Sequence, residues 1–233
     1  MIFTISKLIQ AYLSCRKQKR KTINALMFEQ GLEKNFLQLK RELENRLYQP
    51  SRSICFVVTY PKIREIFAAD FSDRVIHHLL VNEIGPYFEK SFIYNSFACR
   101  KGKGTHMALK KLQQSLNKIT RNQSKKAFYI KLDIKSFFTS IDKKILYQII
   151  TAKIAKTKTG KNWKEEIYYL LRTIIFHNPT KNYVIKGERA LLKKVPYQKS
   201  LFNAPLEKGL PIGNLTSQFF ANVYLNELDQ FVK

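Results

Sequence analysis

The chain has 233 residues, enough for one large domain or two small ones, and its 45% hydrophobic content excludes a disordered chain. With 42 Lys and Arg against 17 Asp and Glu, the formal net charge is +25, a field that suits a polyanion: nucleic acid first, an anionic membrane surface second. The cysteines, Cys15, Cys55 and Cys99, have neither zinc-ligand spacing nor a disulfide framework and fit a reducing cytoplasm. Residues 1–15 carry their positive charges on the wrong side of the apolar run for a signal peptide, and no uncharged run reaches 18 residues, so a soluble protein is expected.

Residues 5–48 read as helix. Ile5, Leu8, Ile9, Tyr12 and Leu13 recur at three- and four-residue spacing. The basic run Arg16-Lys17-Gln18-Lys19-Arg20-Lys21 follows, either a solvated helix face or a phosphate contact. A second periodic stretch, Leu32, Phe36, Leu39, Leu43 and Leu47, is ended by Pro50.

From Ser51 the period changes. Residues 53–58 (SICFVV) are strand-like, Tyr60-Pro61-Lys62 punctuates them, and residues 63–67 supply a second short strand. The resulting hairpin presents Lys62 and Arg64. Asp73 opens a helix that ends near Gly85-Pro86; His77 and His78 lack a partner at metal spacing and read as ordinary helix residues. Residues 97–105 (FACRKGKGT) form a basic loop in which Gly102 and Gly104 permit close backbone approach and Thr105 caps the next helix. It lacks the spacing of a Walker loop. From Lys101 to Lys126 there are eight basic residues and no acid, a polyanion-facing surface.

Residues 127–142, AFYIKLDIKSFFTSID, are the centre of the reading. Phe128, Ile130 and Leu132 alternate with Tyr129, Lys131 and Asp133, as in a half-buried strand with Asp133 on the wetter face. A carboxylate at a strand end, backed by Phe137 and Phe138, suits Mg²⁺, which takes one or two carboxylates plus substrate phosphates. The same residue could simply cap a turn. Ser140-Ile141-Asp142 signals a helix start before Ile145, Leu146, Ile149 and Ile150. A basic connector (155–161), a helix (163–176), a short strand (182–187) and a loop-like basic stretch (189–205) follow. In the last segment Leu210-Pro211-Ile212-Gly213-Asn214 is a turn, Thr216 or Ser217 caps a helix, and Ala221, Leu225, Leu228 and Val232 mark its apolar face.

The order of these blocks carries a resemblance that no single block does. A PKxR hairpin, DRVIHH, SFACRKGKGTH, FYIKLDIKSFFTSID and GLPIGNLTSQFFANVYL resemble the successive motif blocks of reverse transcriptases, from about residue 50 to the end. Within that family the IGxxxSQ pattern of residues 212–218 and the stretch Lys199-Ser200-Leu201-Phe202 resemble the diversity-generating retroelement type. Group II intron and phage-defence enzymes, which share the earlier blocks, are the alternatives.

The resemblance implies an α+β fold, the fingers and palm of a right-hand polymerase, behind an N-terminal helical extension (1–50). Fingers would comprise residues 51–102 and about 156–209; palm, about 103–155 and 210–233, with Asp133 on its sheet. It further implies primer extension with dNTPs on an RNA template, assisted by Mg²⁺ and a small basic accessory protein, in the cytoplasm and away from membranes. Asp133 and the Ile134 carbonyl would hold metal. Lys62, Arg64 and Arg100 would hold triphosphate, and Phe138, with Phe137 less suited, would exclude a ribose hydroxyl. Ile212, Gly213 and Gln218 would lie against the incoming base and template. The family's second metal-binding block, Tyr/Phe-x-Asp-Asp, is missing: the aspartates are Asp70, Asp73, Asp133, Asp142 and Asp229. The expectation is an N-terminal fragment without thumb, its catalytic centre incomplete; the competing reading is a non-catalytic, basic RNA-binding module.

Overall fold

The computed structural model describes residues 1–17 and 19–233; Gln18, inside the basic run, lies outside the described residues. The helical N-terminal region resolves into α1 (Ile5–Arg16), α2 (Ile23–Gln30) and α3 (Leu32–Glu44). Thr4 caps α1 by accepting from the Lys7 amide, and the stripe Leu8, Ala11, Tyr12, Cys15 is buried. The periodic stretch of α3 outlasts its helix: the turn at Asn45 and Arg46 leaves Leu47 exposed.

The hairpin forms as expected. Strands β1 (Ser53–Val58) and β2 (Arg64–Ala68) pair antiparallel, from Ile54 opposite Ala68 to Val58 opposite Arg64. A third strand, β3 (Tyr183–Ile185), runs parallel to β1, giving the order β2-β1-β3. Residues far apart in sequence are thereby joined in one small sheet. Helix and strand together make a mixed fold, compatible with the α+β class.

Helix α4 (Phe71–Glu89) starts from an Asp70 cap, whose carboxylate accepts from the Ser72 amide. It does not stop at Gly85-Pro86. Ile84 and Phe88 are buried on either side of the proline, and their packing outweighs the one ladder hydrogen bond that Pro86 cannot donate. The remaining helices are α5 (Thr105–Ile119), α6 (Phe137–Ser140), α7 (Lys143–Ala155), α8 (Lys161–Phe176) and α9 (Leu215–Val232). One apolar core, with Leu8, Leu43, Ile76, Leu146, Leu170 and Phe220 among its members, unites α1, α3, α4, α7, α8 and α9. Glu83 ties three helices together by accepting from Lys7 Nζ and Trp163 Nε1, both at 2.8 Å. The N-terminal helices therefore share the core of the rest of the chain. No helix among the described residues is long and apolar enough to cross a membrane.

Four local expectations are corrected. Residues 127–134 are not a strand, so the sheet does not carry Asp133: Phe128 is 99% and Leu132 87% exposed, and no described strand lies beside them. Alternation confers strand structure only when a neighbouring strand takes the backbone hydrogen bonds and a second layer covers the apolar side. Thr105 does not cap α5; Gly104, at φ +132°, occupies that position. Asn214 rather than Thr216 or Ser217 precedes α9, and those two hydroxyl residues are buried within its first turn. Leu228 and Val232, expected on the buried face, are exposed, while Phe220, Val223 and Asn226 point inward.

Candidate active site

A cleft of about 390 Å³ opens between the hairpin and the segment that follows Asp133. Its walls are Lys62, Ile63, Arg64 and Glu65 from the hairpin; residues 133–139; Lys199; and Ile212. The chain turns into the cleft at Ser136, in the left-handed region at φ 54°, whose carbonyl accepts from the Thr139 amide and hydroxyl. This turn starts α6 and sets Phe137 and Phe138 side by side, ring centres 5.5 Å apart, with Phe137 also against Tyr224.

Two rows of hydrogen bonds hold the cleft together. Leu210 donates its amide to Phe138 and Gly209 to Ile141, each at 2.8 Å, so residues 209–210 support α6 from behind. On the other side the Phe67 amide donates to the Ile212 carbonyl (2.9 Å) and the Ala69 amide to Asn214 Oδ1 (3.0 Å). Between them Gly213, at φ +125°, lies so close to β2 that a Cβ would meet Ile66 Cγ2 at 2.7 Å. Only glycine allows the turn to lie flat on the strand.

Lys62, Arg64, Lys135 and Lys199 line the cleft, and none pairs with an acid among the described residues. Of the two acids, Glu65 is buried and fully engaged: it accepts from Ser200 Oγ and from the Leu201 amide, both at 2.7 Å. Burial raises its pKa, and those two donors hold the rise back. Asp133 is exposed and accepts no hydrogen bond among the described residues. The cleft is thus a cationic recess with one available carboxylate, suited to an anionic ligand accompanied by a hard cation.

Arg100 is not in this cleft. Its side chain, 7% exposed, donates to Glu89 Oε1 (2.7 Å) and to the carbonyls of Ile93 (2.9 Å) and Ser96 (2.7 Å), over the Phe92 ring. It fastens the loop after α4, with Nε and Nη1 engaged there. Gly213 backs the site without lining it, and Gln218 is exposed on α9 outside the lining. The structure adds Ile63, Glu65, Lys135, Ser136, Thr139 and Lys199. Proximity to Arg64 and Asp133 signals five of these; nothing in the sequence brings Lys199 to them.

Asp133 and the Ile134 carbonyl are hard oxygen donors of the kind Mg²⁺ takes when phosphates supply the rest. Among the described residues no three His, Cys, Asp or Glu gather as a metal cage. His77 and His78 lie within α4. Burial holds His77 down to about 3 and His78 to about 4, and Asp73, which accepts from the Tyr48 hydroxyl and the Ser51 amide, is pushed up to about 6.

The chain is 21% identical over 212 residues to Protein YkfC of Escherichia coli (strain K12), covering 90% of this chain and 48% of that protein. It therefore spans about half the length of that relative. The family described as reverse transcriptase (RNA-dependent DNA polymerase) matches residues 59–233, which takes in every wall of the cleft. The chain belongs to the reverse transcriptase family.

Proposed function

We propose that these residues form the nucleotide-binding part of an RNA-directed DNA polymerase of the diversity-generating type. The observation that supports this reading is the cleft itself, where Lys62 and Arg64, Asp133 and Ile134, Phe137 and Phe138, and Ile212 converge from three distant segments. Lys62 and Arg64 would bind the triphosphate, one as a point charge and the other as a planar fork. Asp133 and the Ile134 carbonyl would hold Mg²⁺, which supplies charge stabilisation at the phosphoryl oxygens. Phe138 would pack beneath C2′ of the sugar and leave no room for a hydroxyl. Ile212, beside the base, donates no hydrogen bond; a polar contact there discriminates by about 1–3 kcal/mol, so its absence favours misincorporation, expected at template adenines by the family resemblance.

On this reading residues 51–102 and about 156–209 act as fingers and 103–155 and 210–233 as palm, with the helical extension in front. The partners are RNA template, DNA primer, dNTP and a small basic accessory protein. Asp133 is the one cleft carboxylate free of internal hydrogen bonds among the described residues, so these 233 residues should bind nucleotide without extending a primer.

The test is calorimetric titration of the chain with dTTP and UTP in Mg²⁺, beside primer extension on RNA. We expect dTTP to bind, Arg64→Ala to weaken it roughly tenfold, and Phe138→Ala to erase the preference over UTP. RNA binding with no nucleotide binding would favour a non-catalytic RNA-binding module. Primer extension abolished by Asp133→Asn would show that the centre needs nothing further.

A further inference from the structure

We infer that Lys199 is a further phosphate-binding residue of the cleft, held in position by the buried carboxylate of Glu65. The inference rests on the reading of the cleft as a nucleotide site and extends it to a segment remote from the Lys62 and Asp133 blocks.

Lys199 ends a short 3₁₀ turn (Tyr197–Lys199), its amide donating to the Pro196 carbonyl at 2.8 Å, and three further hydrogen bonds tie the flanks of this turn to the cleft walls. Ser200 Oγ and the Leu201 amide donate to the two oxygens of Glu65 on β2, each at 2.7 Å. On the opposite wall, Thr139 of α6 donates its hydroxyl to the Gln198 carbonyl, also at 2.7 Å. Leu201 then packs in a small cluster with Cys55 and Phe67, and the Phe202 ring lies tilted to Phe67 and edge-on to Tyr183, ring centres 5.4 and 5.1 Å away. The residues on both sides of Lys199 are therefore pinned, one to each wall of the cleft. Lys199 itself is exposed, lines the cleft with Lys62 and Arg64, and has no acidic partner among the described residues.

A buried carboxylate is costly unless its oxygens are satisfied, and Glu65 spends both on one short segment. What that expense delivers to the cleft is an ammonium at a set place. A flexible lysine on a loose loop loses entropy when it meets a ligand; on a pinned backbone it loses less, so the contact is stronger. A compact cation beside Lys62 and Arg64 complements a polyphosphate, whose charge exceeds what those two residues can offset.

The test is titration of the 233-residue chain with inorganic tripolyphosphate, with single-stranded RNA as a second probe. Lys199→Ala should weaken tripolyphosphate binding about fivefold or more, while Lys199→Arg retains it. Lys193→Ala, which removes equal charge from the same irregular region outside the cleft, should leave it unchanged. Glu65→Gln should weaken binding to a similar degree, and Glu65→Gln with Lys199→Ala should be no weaker than Lys199→Ala alone, because Glu65 acts only through Lys199. Equal affinities of Lys199→Ala and Lys193→Ala, with Arg64→Ala impaired, would overturn this inference and leave the nucleotide site standing. Indifference to Lys62→Ala, Arg64→Ala and Lys199→Ala alike, or no binding by the unmodified chain, would overturn both. A loss confined to RNA binding would reassign Lys199 to a nucleic-acid backbone and refute its place at the nucleotide.

Discussion

Helices α5 and α7 are of similar length, and both repeat apolar residues at helical spacing. α7 buries Leu146, Ile150 and Ile154 against α8 and α9; α5 buries nothing, and Leu109, Leu112 and Ile119 face solvent. Residues 127–134 continue the exposed region, with four large apolar side chains more than four-fifths exposed. The two helices differ in what lies opposite, not in pattern. Periodicity decides which side of a helix is apolar, whereas stability comes from the area that a facing element removes from water. The contrast divides the cleft too: its β2, α6 and 209–214 walls are bonded into the core, while the segment leading to Asp133 is covered by nothing among the described residues.

The largest expected effect tests this division directly. Leu146→Ala should cost about 2–5 kcal/mol, and Leu112→Ala or Leu132→Ala no more than about 0.5 kcal/mol, in denaturant titrations. Comparable losses at the two kinds of site would show that α5 and residues 127–134 are packed after all.

Acid should act next, and only on the packed side. His77, His78 and His177 all have pKa values lowered by burial, His77 to about 3. Below about pH 6.5 the unfolded chain binds protons that the folded chain does not, so stability falls as pH falls. For His77 alone the loss between pH 7 and 4 is about 3 kcal/mol. Asp73 works the other way: pushed up to about 6, it binds its proton more readily in the folded state and stabilises as pH drops below 6. Glu65 and Asp229, also raised by burial, act in the same direction as Asp73, but the deeply buried His77 together with His78 outweighs them and leaves a net loss. Unfolding free energies measured at pH 7, 5.5 and 4 should decline, and His77→Leu should flatten the curve. An unchanged slope in that variant would remove His77 from the account.

A smaller loss is expected at the cleft's back wall. Gly213→Ala must place a methyl on a positive-φ residue against Ile66 and should cost about 1–3 kcal/mol. If it also displaces Ile212, tripolyphosphate and dTTP affinities should fall with it; intact stability would mean that the turn is not pressed on β2. The smallest effect concerns the two helix starts. Asp142 accepts from the Lys144 and Ile145 amides, so Asp142→Ala should cost about 1 kcal/mol in thermal unfolding. Thr105→Ala at the head of α5 should cost less, since Gly104 holds the cap position there.

Much of this protein was legible in its residues alone. Hairpin β1–β2 and the Asp142-capped helix are local products of alternation, capping chemistry and turn residues, and the short strand at 183–185 is visible in the sequence although distant β1 supplies its pairing. The order of motif blocks grouped Lys62, Arg64, Asp133, Phe138 and Ile212, and these five line one cleft. Three matters were decided only by the folded structure, each because it depends on which partner a side chain or backbone meets. Residues 127–134 carry a strand's alternation but have no neighbouring strand among the described residues to take their hydrogen bonds. Arg100 was expected to hold phosphate, yet its Nε and Nη1 donate to Glu89 and two loop carbonyls, outside the cleft. Lys199 reaches the cleft because a glutamate 134 positions earlier is buried and must be satisfied, a requirement that no local pattern records.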